Sequence, residues 1–325
     1  MARFSPNLHA LAPLAVLVGA LGGAALGVTW VKVWFYPLLW WSYIFLVDSQ
    51  VQRHAGNSLW IDRRRTFWFL AGASVVFWFA WEAVNLRLAD WEYLGVPRQI
   101  WLRWPLAFLS YATVLPGVLE TYELLTVYGA KGDGGLRWGH NVRPLRLGRS
   151  WRGWCLATGL AGLVLPLAWP GLFFPLVWLA LFFLLEPLNY RQGLPSLMAA
   201  WERGDLSPLV RLLLAGLICG VVWESGNWPA LARWRYTIPY LAEPRIFAMP
   251  LAGYLGFAPF AVECYVFTAT LGLLRGGRGW EAADHDREFL PRPPAWLLWV
   301  LGLAGLAFSL VMCHLIDLYL VKSWS

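Results

Sequence analysis

The sequence predicts an all-α membrane protein, a polytopic helical bundle of two parallel four-helix repeats plus one C-terminal helix, with about nine transmembrane helices. Composition is the first reason. Of the 325 residues, 59% are hydrophobic and 14% are charged, and the mean hydropathy is +0.52. Soluble domains carry roughly 25% charged residues, so most of this chain is expected to lie in lipid. The second reason is a series of long apolar stretches, and the third is an internal duplication.

Short motifs recur in the same order in both halves of the chain, with a period of about 140 residues. The repeated pairs are Trp81-Glu82 with Asn85 and Trp223-Glu224 with Asn227; Trp91-x-Tyr93 and Trp234-x-Tyr236; and Pro116 with Glu120-x-Tyr122 and Pro259 with Glu263-x-Tyr265. A period of this length indicates a duplicated domain and not a solenoid unit. We therefore predict membrane repeat 1 at 1–150, membrane repeat 2 at 151–290 and an additional C-terminal transmembrane helix at 291–325.

Each repeat is predicted to contain four helices, and the second helix of each is expected to be short. The predicted segments are 9–29, 33–48, 66–85 and 103–128 in the first repeat, 153–173, 175–187, 208–226 and 246–274 in the second, and 295–319 after them. An even number of helices per repeat gives parallel halves that are related by an axis along the membrane normal.

Basic residues predict the orientation of these helices. Most Lys and Arg fall in loops that share a side with the N-terminus, among them the linker at 129–152. Cytoplasmic loops collect these residues, so the N-terminus is predicted to be cytoplasmic and the membrane to be a bacterial inner membrane. The net charge of +7 reflects this loop bias, and we expect no nucleic-acid partner.

No pattern in the sequence points to a metal or a cofactor. The four cysteines lie in apolar stretches without C-x-x-C spacing, and no two of the five histidines have the spacing of ligands. We therefore expect neither a metal site nor a cofactor site.

The candidate catalytic residues are four repeated acids within apolar segments: Glu120, Glu263, Glu82 and Glu224. An ionised carboxylate at membrane depth is costly, so such residues usually face the interior and have a partner or a function. The candidate substrate-binding residues are the repeated side chains near them: Asn85, Asn227, Trp81, Trp223, Tyr122 and Tyr265. Each Asn lies three residues after its Glu, on the same helical face. Asp48 and Glu186, also repeated, are expected to have structural roles.

The same motifs resemble the lycopene cyclase domain of small membrane carotenoid cyclases and of related hydratases. The resemblance is carried by Trp81-Glu82, Trp91-x-Tyr93, Pro116 and Glu120, and by Trp223-Glu224, Trp234-x-Tyr236, Pro259 and Glu263. Two similar membrane units make one enzyme in that family. This chain has Pro-x-x-x-Glu in both copies, where the family has Pro-x-Glu-Glu.

The resemblance implies non-redox acid–base chemistry, either cyclisation or hydration, on a long polyene lipid or carotenoid. A neutral carboxylic acid, Glu120 or Glu263, would protonate a terminal double bond, and a second carboxylate would remove a proton. Two other functions are compatible with the residues: a proton-coupled carrier, and a non-catalytic lipid-binding or scaffold subunit. Membrane lipids are the expected surroundings, and a homo-oligomer or a membrane complex fits each of the three.

Overall fold

The protein folds as a nearly all-α bundle in a computed structural model that describes residues 6–130, 139–240, 242–283 and 286–325. The linker residues 131–138 therefore lie outside the described part. The helices are α1 (Pro6–Ala25), α2 (Thr29–Ala55), α3 (Arg64–Leu88), α4 (Ile100–Tyr111), α5 (Val114–Ala130), α6 (Trp151–Ala168), α7 (Pro170–Phe173), α8 (Val177–Gln192), α9 (Leu197–Glu202), α10 (Ser207–Asn227), α11 (Tyr254–Leu271) and α12 (Ala295–Tyr319). The strands are β1 (Trp91–Leu94), β2 (Arg233–Tyr236), β3 (Arg245–Ile246) and β4 (Met249–Pro250).

Seven helical segments in the described residues are long and apolar enough to cross a membrane, which indicates an integral membrane protein. They are Thr29–Ala55, Arg64–Leu88, Ile100–Gly129, Pro170–Gln192, Ser207–Asn227, Leu251–Arg275 and Ala295–Tyr319. The apolar part of α1 is shorter. Large apolar side chains on the outer faces of the bundle are exposed, such as Leu160, Leu255 and Leu303. Contact with lipid tails explains an apolar surface of this kind.

All nine predicted segments overlap helices, but several of the predicted bounds are wrong. The segment predicted at 246–274 begins on β3 and β4, and its helix α11 starts only at Tyr254. The second helix of the first half is not short, because α2 continues through Asp48 to Ala55 and ends at Gly56 in the left-handed conformation. Asp48 does not end the helix, since its carboxylate is buried and bonded to the following loop. The predicted helix at 103–128 is interrupted at 112–113, between α4 and α5, shortly before Pro116.

Helices with the same place in the two halves pack in the same way. Helix α1 packs on α2 as α6 packs on α8, and α5 packs on α2 as α11 packs on α8. The halves meet where α5 contacts α10 and α11. A continuous buried apolar core fills this junction. Helix α12 lies outside it and packs on α3, where Met312, Cys313 and Ile316 meet Ala71 and Val75.

A small sheet covers one end of the bundle, which we call the strand end. Strands β1 and β2 come from different halves and pair antiparallel, with Glu92 opposite Arg235. The other edge of β1 is covered by the segment 320–325, since the backbone N–H of Lys322 donates to the carbonyl of Tyr93 at 2.8 Å. The sheet therefore ties both halves and the end of α12 together.

Close packing of α10 on α11 depends on Gly216. A Cβ at this position would lie 2.2 Å from the carbonyl oxygen of Phe257 and 2.9 Å from the Cα of Ala258. Because these are backbone atoms, Gly216→Ala is expected to push the helices apart and to destabilise the protein by about 1–3 kcal/mol. A lower thermal unfolding midpoint in detergent would report this.

Gly72→Ala in α3 is the matched control, because a Cβ there meets no atom within 4 Å. It is expected to raise the unfolding midpoint slightly, since Ala favours a helix over Gly by about 0.5–1 kcal/mol. Equal midpoints for the two variants would contradict the close approach of α10 and α11.

Candidate functional site

An aromatic cavity of about 190 Å³ lies at the strand end, between the two halves. Its aromatic lining comes from both halves: Tyr36, Trp78, Trp91, Tyr93, Trp104, Tyr111, Phe174, Trp178, Trp223, Trp234, Tyr236, Phe257 and Phe260. The paired strands form one wall, and the others come from α2, α3, α4, α5, α8, α10, α11 and α12. The charged side chains on the lining are Asp90, Arg103, Arg233 and Asp317. This arrangement suits an apolar ligand that meets few polar groups.

Glu82 is fully buried behind this wall, and the side chains that bind it are wall residues. The indole N–H groups of Trp78 and Trp91 donate to its Oε1 at 2.8 and 3.1 Å. The hydroxyl of Tyr93 donates to the same oxygen, and the hydroxyl of Tyr111 lies 3.4 Å away from it. The carboxylate therefore fixes four rings that line the cavity. A negative charge on an indole N–H also makes that ring a better partner for a cation.

Glu224 holds the corresponding place in the second half with fewer partners. Tyr236 donates to its Oε1 at 2.7 Å, as Tyr93 does to Glu82. Its Oε2 is buried and makes no hydrogen bond to a described side chain or backbone group. Where Trp78 stands in the first half, the motif spacing puts Gly220 in the second, and Phe257 packs against it. The two acids thus have the same position and unequal surroundings.

The two asparagines hold the strands and do not bind their neighbouring glutamates. Asn85 donates from Nδ2 to the carbonyl of Trp91 at 2.9 Å and accepts from the backbone N–H of Asp90. Asn227 donates to the carbonyl of Trp234 at 3.0 Å and accepts from its backbone N–H at 2.9 Å. Each amide thereby fixes the turn that joins its helix to the following strand. This turn places the Trp-x-Tyr motif next to the glutamate.

Of the two repeated tryptophans, Trp223 lines the cavity and Trp81 is packed beside it. Trp223 contacts Trp40, with ring centroids 5.8 Å apart, and Trp78, at 4.9 Å. Trp81 contacts Trp178 at 5.2 Å. Trp40 and Trp178 are themselves equivalent by motif, so two equivalent pairs of rings meet, each across the two halves.

The charged residues of the lining differ in their partners. Arg103 and Asp317 form a two-bond ion pair between α4 and α12, at 2.9 and 2.7 Å, and Trp104 donates to the same carboxylate. Asp90 is 4% exposed, and its Oδ2 has no hydrogen-bond partner among the described residues. Burial raises the pKa of Asp90 to about 7. Asp90 is therefore the acid of this cavity that is not already committed to a neighbour.

Glu120 and Glu263 do not line the aromatic cavity. Glu120 is fully buried next to the carboxyl group of Asp48, and neither of its oxygens has a hydrogen-bond partner of good geometry among the described residues. Glu263 accepts from the backbone N–H of Leu181 at 2.9 Å. The structure thus brings Glu82 and Glu224 to the cavity wall and leaves the other two predicted acids nearer the opposite end. Their predicted catalytic role stays a prediction.

Tyr122 and Tyr265 also lie at that opposite end, where they meet across the two halves. Their ring centroids are 5.9 Å apart, and Trp280 packs on both. A second cavity of about 240 Å³ lies beside Tyr122. Its charged lining residues are Arg63, Glu123 and Glu281. Arg63 binds Glu123 with two bonds, at 2.8 and 2.5 Å. Repulsion from Glu123 adds to burial in raising the pKa of Glu281.

Asp48 and Glu186 make matching structural contacts. Asp48 accepts from the hydroxyl of Ser58 and the backbone N–H of Trp60, at 2.9 and 2.7 Å. Glu186 accepts from the hydroxyl of Ser196 at 2.5 Å and from the backbone N–H of Met198 at 2.7 Å. Each acid therefore fastens the loop that follows its helix, at the same sequence spacing in both halves.

Sequence reasoning missed three features of the site: the donors Trp78 and Tyr111, the position of Asp90 on the cavity lining, and the pairing of Arg63 with Glu123. One signal was available for Asp90. It directly precedes the first Trp-x-Tyr motif, whereas Arg233 precedes the second. A change of charge within an otherwise repeated motif marks a place where the halves have diverged.

The described ranges offer no cluster of metal ligands. They contain no group of three or more His, Cys, Asp or Glu side chains arranged to hold a metal ion. The four cysteines are buried and unpaired. No protein-family model, no curated protein and no solved structure matches this chain.

Proposed function

We propose that this protein binds one end of a long isoprenoid or carotenoid chain between two related halves and performs non-redox acid–base chemistry on it. The aromatic cavity at the junction of the halves is the observation that carries the proposal. Cyclisation of the end group, or addition of water to it, is the expected reaction.

The proposal includes two parallel membrane repeats with about nine transmembrane helices. The pairing of β1 and β2 supports it. Glu92 and Arg235 occupy equivalent places in the two Trp-x-Tyr motifs and stand opposite each other. On either side, Trp91 faces Tyr236 and Tyr93 faces Trp234. A twofold axis through the central pair exchanges these partners, as expected for parallel halves. With a cytoplasmic N-terminus, the strand end and its cavity face the outer side of a bacterial inner membrane.

The size of the cavity favours a ring-sized end group over a whole carotenoid. A protein cavity of about 150 Å³ holds a benzene molecule, whereas sites for whole drug-sized ligands begin at about 300 Å³. At about 190 Å³, this cavity has room for one end of a chain. The rest of a long apolar molecule would lie along the exposed apolar helix faces, within the lipid.

The aromatic wall fits a reaction that passes through a carbocation. A proton added to a terminal double bond forms a C–H bond and leaves a positive charge on the neighbouring carbon. The next double bond closes a ring on that carbon, or water adds to it, and a proton is then returned to a carboxylate. Indole faces stabilise a cation by about 2 kcal/mol or more when water is excluded. The indoles of Trp78 and Trp91 gain further electron density because they donate to Glu82.

A proton-coupled carrier is the second candidate, and the opposite end of the bundle favours it. Asp48 and Glu120 lie close together there, and Glu123 and Glu281 line the neighbouring cavity. Buried acids in series are found in proton-relay pathways. Dissipation of an imposed pH gradient by proteoliposomes that contain the protein would favour this candidate.

Expression in lycopene-accumulating bacteria is expected to yield a new pigment, either isomeric with lycopene or heavier by one water. Trp223→Leu removes a ring from the cavity wall and is expected to lower the yield about thirtyfold, the equivalent of about 2 kcal/mol of lost cation stabilisation. Chromatography with mass detection measures both results.

Trp154→Leu is the control, because Trp154 is 71% exposed and does not line the cavity. A strain with Glu120→Gln and Glu263→Gln tests the deeper acids in the same assay. Unchanged pigment with well-expressed wild-type protein would exclude lycopene as the substrate and would favour the proton-coupled carrier as the function.

A further inference from the structure

We propose that Asp90 is the proton donor of the aromatic cavity, and that the cavity accordingly has one acid and not a symmetric pair. This inference rests on the proposed function and assigns its first chemical step to a residue outside the repeated acids. Its evidence is the position of Asp90, its lack of partners and its divergence from the equivalent residue in the second half.

The position of Asp90 is set by the turn between α3 and β1. Its backbone N–H donates to Asn85 at 2.9 Å, and its carbonyl accepts from the backbone N–H of Thr237 at 2.8 Å. The backbone N–H and the backbone carbonyl of Asp90 are therefore both fixed, the first by the first half of the protein and the second by the second half. The side chain lies on the cavity lining beside Trp91, whose ring stabilises positive charge.

The other acids near the cavity are already committed to partners. Glu82 is bonded to the indoles and phenols of the wall, and Asp317 to Arg103 and Trp104. Glu224 has one oxygen without a hydrogen bond, but its other oxygen is bonded to Tyr236 and the residue does not line the cavity. The Oδ2 of Asp90 is buried without a hydrogen bond to any described group. A carboxyl group that has no hydrogen bond to the protein can give up its proton to a ligand beside it without first breaking such a bond.

The second half has no counterpart to Asp90. The residue before its Trp-x-Tyr motif is Arg233, which also lines the cavity. Asp90 and Arg233 therefore stand at opposite ends of the paired strands, with Leu94 opposite Arg233 and Thr237 bonded to Asp90. The remaining titratable side chains on the lining are Tyr36, Tyr93, Arg103, Tyr111, Tyr236, Cys313 and Asp317.

The protonation state of Asp90 suits this role. Burial raises its pKa to about 7, so the group is largely protonated below neutral pH and can also be re-protonated after each turnover. In the reaction, the O–H bond of Asp90 breaks as the C–H bond of the substrate forms. The proton lost from the carbocation, or from the added water, then returns to the same carboxylate, so no oxidant or reductant is required.

The first test labels the purified full-length protein with dicyclohexylcarbodiimide, an apolar reagent that reacts with protonated carboxyl groups. The proton moves to a carbodiimide nitrogen, the carboxylate oxygen adds to the central carbon, and rearrangement gives a stable acylurea. Peptide mass spectrometry is expected to find the adduct on Asp90, with about thirtyfold less at pH 8.5 than at pH 5.5 for a pKa of about 7. Prior addition of lycopene in micelles is expected to protect the residue.

The second test measures pigment in lycopene-accumulating bacteria that express Asp90→Asn, which keeps the size of the side chain and removes the acid. Product is expected to fall at least a hundredfold, the usual contribution of a general acid of about 10²–10⁴. Glu92→Gln, two residues further on in β1, is the control, because Glu92 pairs with Arg235 and does not line the cavity. Equal elution of all variants in size-exclusion chromatography shows that they fold.

The outcomes separate this inference from the proposed function. Product from wild-type protein that persists in Asp90→Asn would overturn the role of Asp90 and leave the function standing. If wild-type protein makes no product, the proposed activity on lycopene fails, and the labelling result decides whether Asp90 is the protonated acid of the cavity. An Asp90 that takes no label at pH 5.5 overturns the inference in either case.

Discussion

Arg63→Met is expected to destabilise the protein by about 3–5 kcal/mol, because it leaves the carboxylate of Glu123 buried without its counter-charge. The two side chains are only 4% and 11% exposed, and two hydrogen bonds join them. Arg63 also donates to the carbonyl of Trp280 at 2.9 Å, so its loss releases the segment that follows α11. The measurement is the thermal unfolding midpoint in detergent, together with the fraction of protein that elutes as a single species.

Two further variants give this prediction its controls. Arg63→Met combined with Glu123→Gln removes both charges and is expected to recover much of the lost stability, since no uncompensated carboxylate remains. Arg235→Met removes one member of an ion pair with Glu92 in which the arginine is 57% exposed, and is expected to cost less than about 1 kcal/mol. Similar losses for Arg63→Met and Arg235→Met would contradict a buried pair.

Much of the helical architecture follows from hydropathy, because a segment that must satisfy its backbone in lipid has few alternatives to a helix. The errors arose where a polar residue was read as a helix end. Asp48 was expected to end α2, but its carboxylate bonds to Ser58 and to the backbone of Trp60, so the helix continues past it. Hydropathy records the cost of a buried charge and carries no information about the loop that compensates it.

The candidate site was only half predictable for a related reason. Duplication pointed to Glu82 and Glu224 as candidate catalytic residues, and the structure places both beside side chains of the aromatic cavity, while their catalytic role stays a prediction. It also led to the expectation that Asn85 orients Glu82, because the two lie on one helical face. The amide instead binds the backbone of β1. Sequence spacing gives the neighbours along a helix, whereas the partners of a side chain here come from a strand beyond it.

The burial of Asp90 could not be predicted from its neighbours in the sequence. Asp90 is a single acid in a polar turn, where an aspartate ordinarily faces water, and nothing in its local sequence predicts burial. Burial results from the pairing of β1 with a strand from the other half, some 140 residues away, which covers the turn. The one sequence signal is the contrast with Arg233, and it is visible only after the duplication has been recognised.

Glu82→Gln is expected to cost about 2–4 kcal/mol, and it tests whether this carboxylate organises the cavity wall. Two indoles and two phenols converge on Glu82, and all four are donors. A glutamine offers one acceptor oxygen and replaces the other with an amino group, so at least one buried donor faces another donor. The variant is expected to unfold at a lower temperature and to show altered tryptophan fluorescence, since the indole of Trp91 then meets the amino group and both indoles lose their charged acceptor.

Glu224→Gln provides the matched comparison at the equivalent place in the second half. Tyr236 donates to one oxygen of Glu224, and the other oxygen has no hydrogen bond among the described residues. The amide oxygen of glutamine can keep the phenol bond, so the loss is expected to be about 1 kcal/mol or less. A larger loss for Glu224→Gln than for Glu82→Gln would mean that the wall of the cavity is held mainly from the second half. The added electron density of the indoles, which we attribute to their hydrogen bonds with Glu82, would then need another explanation.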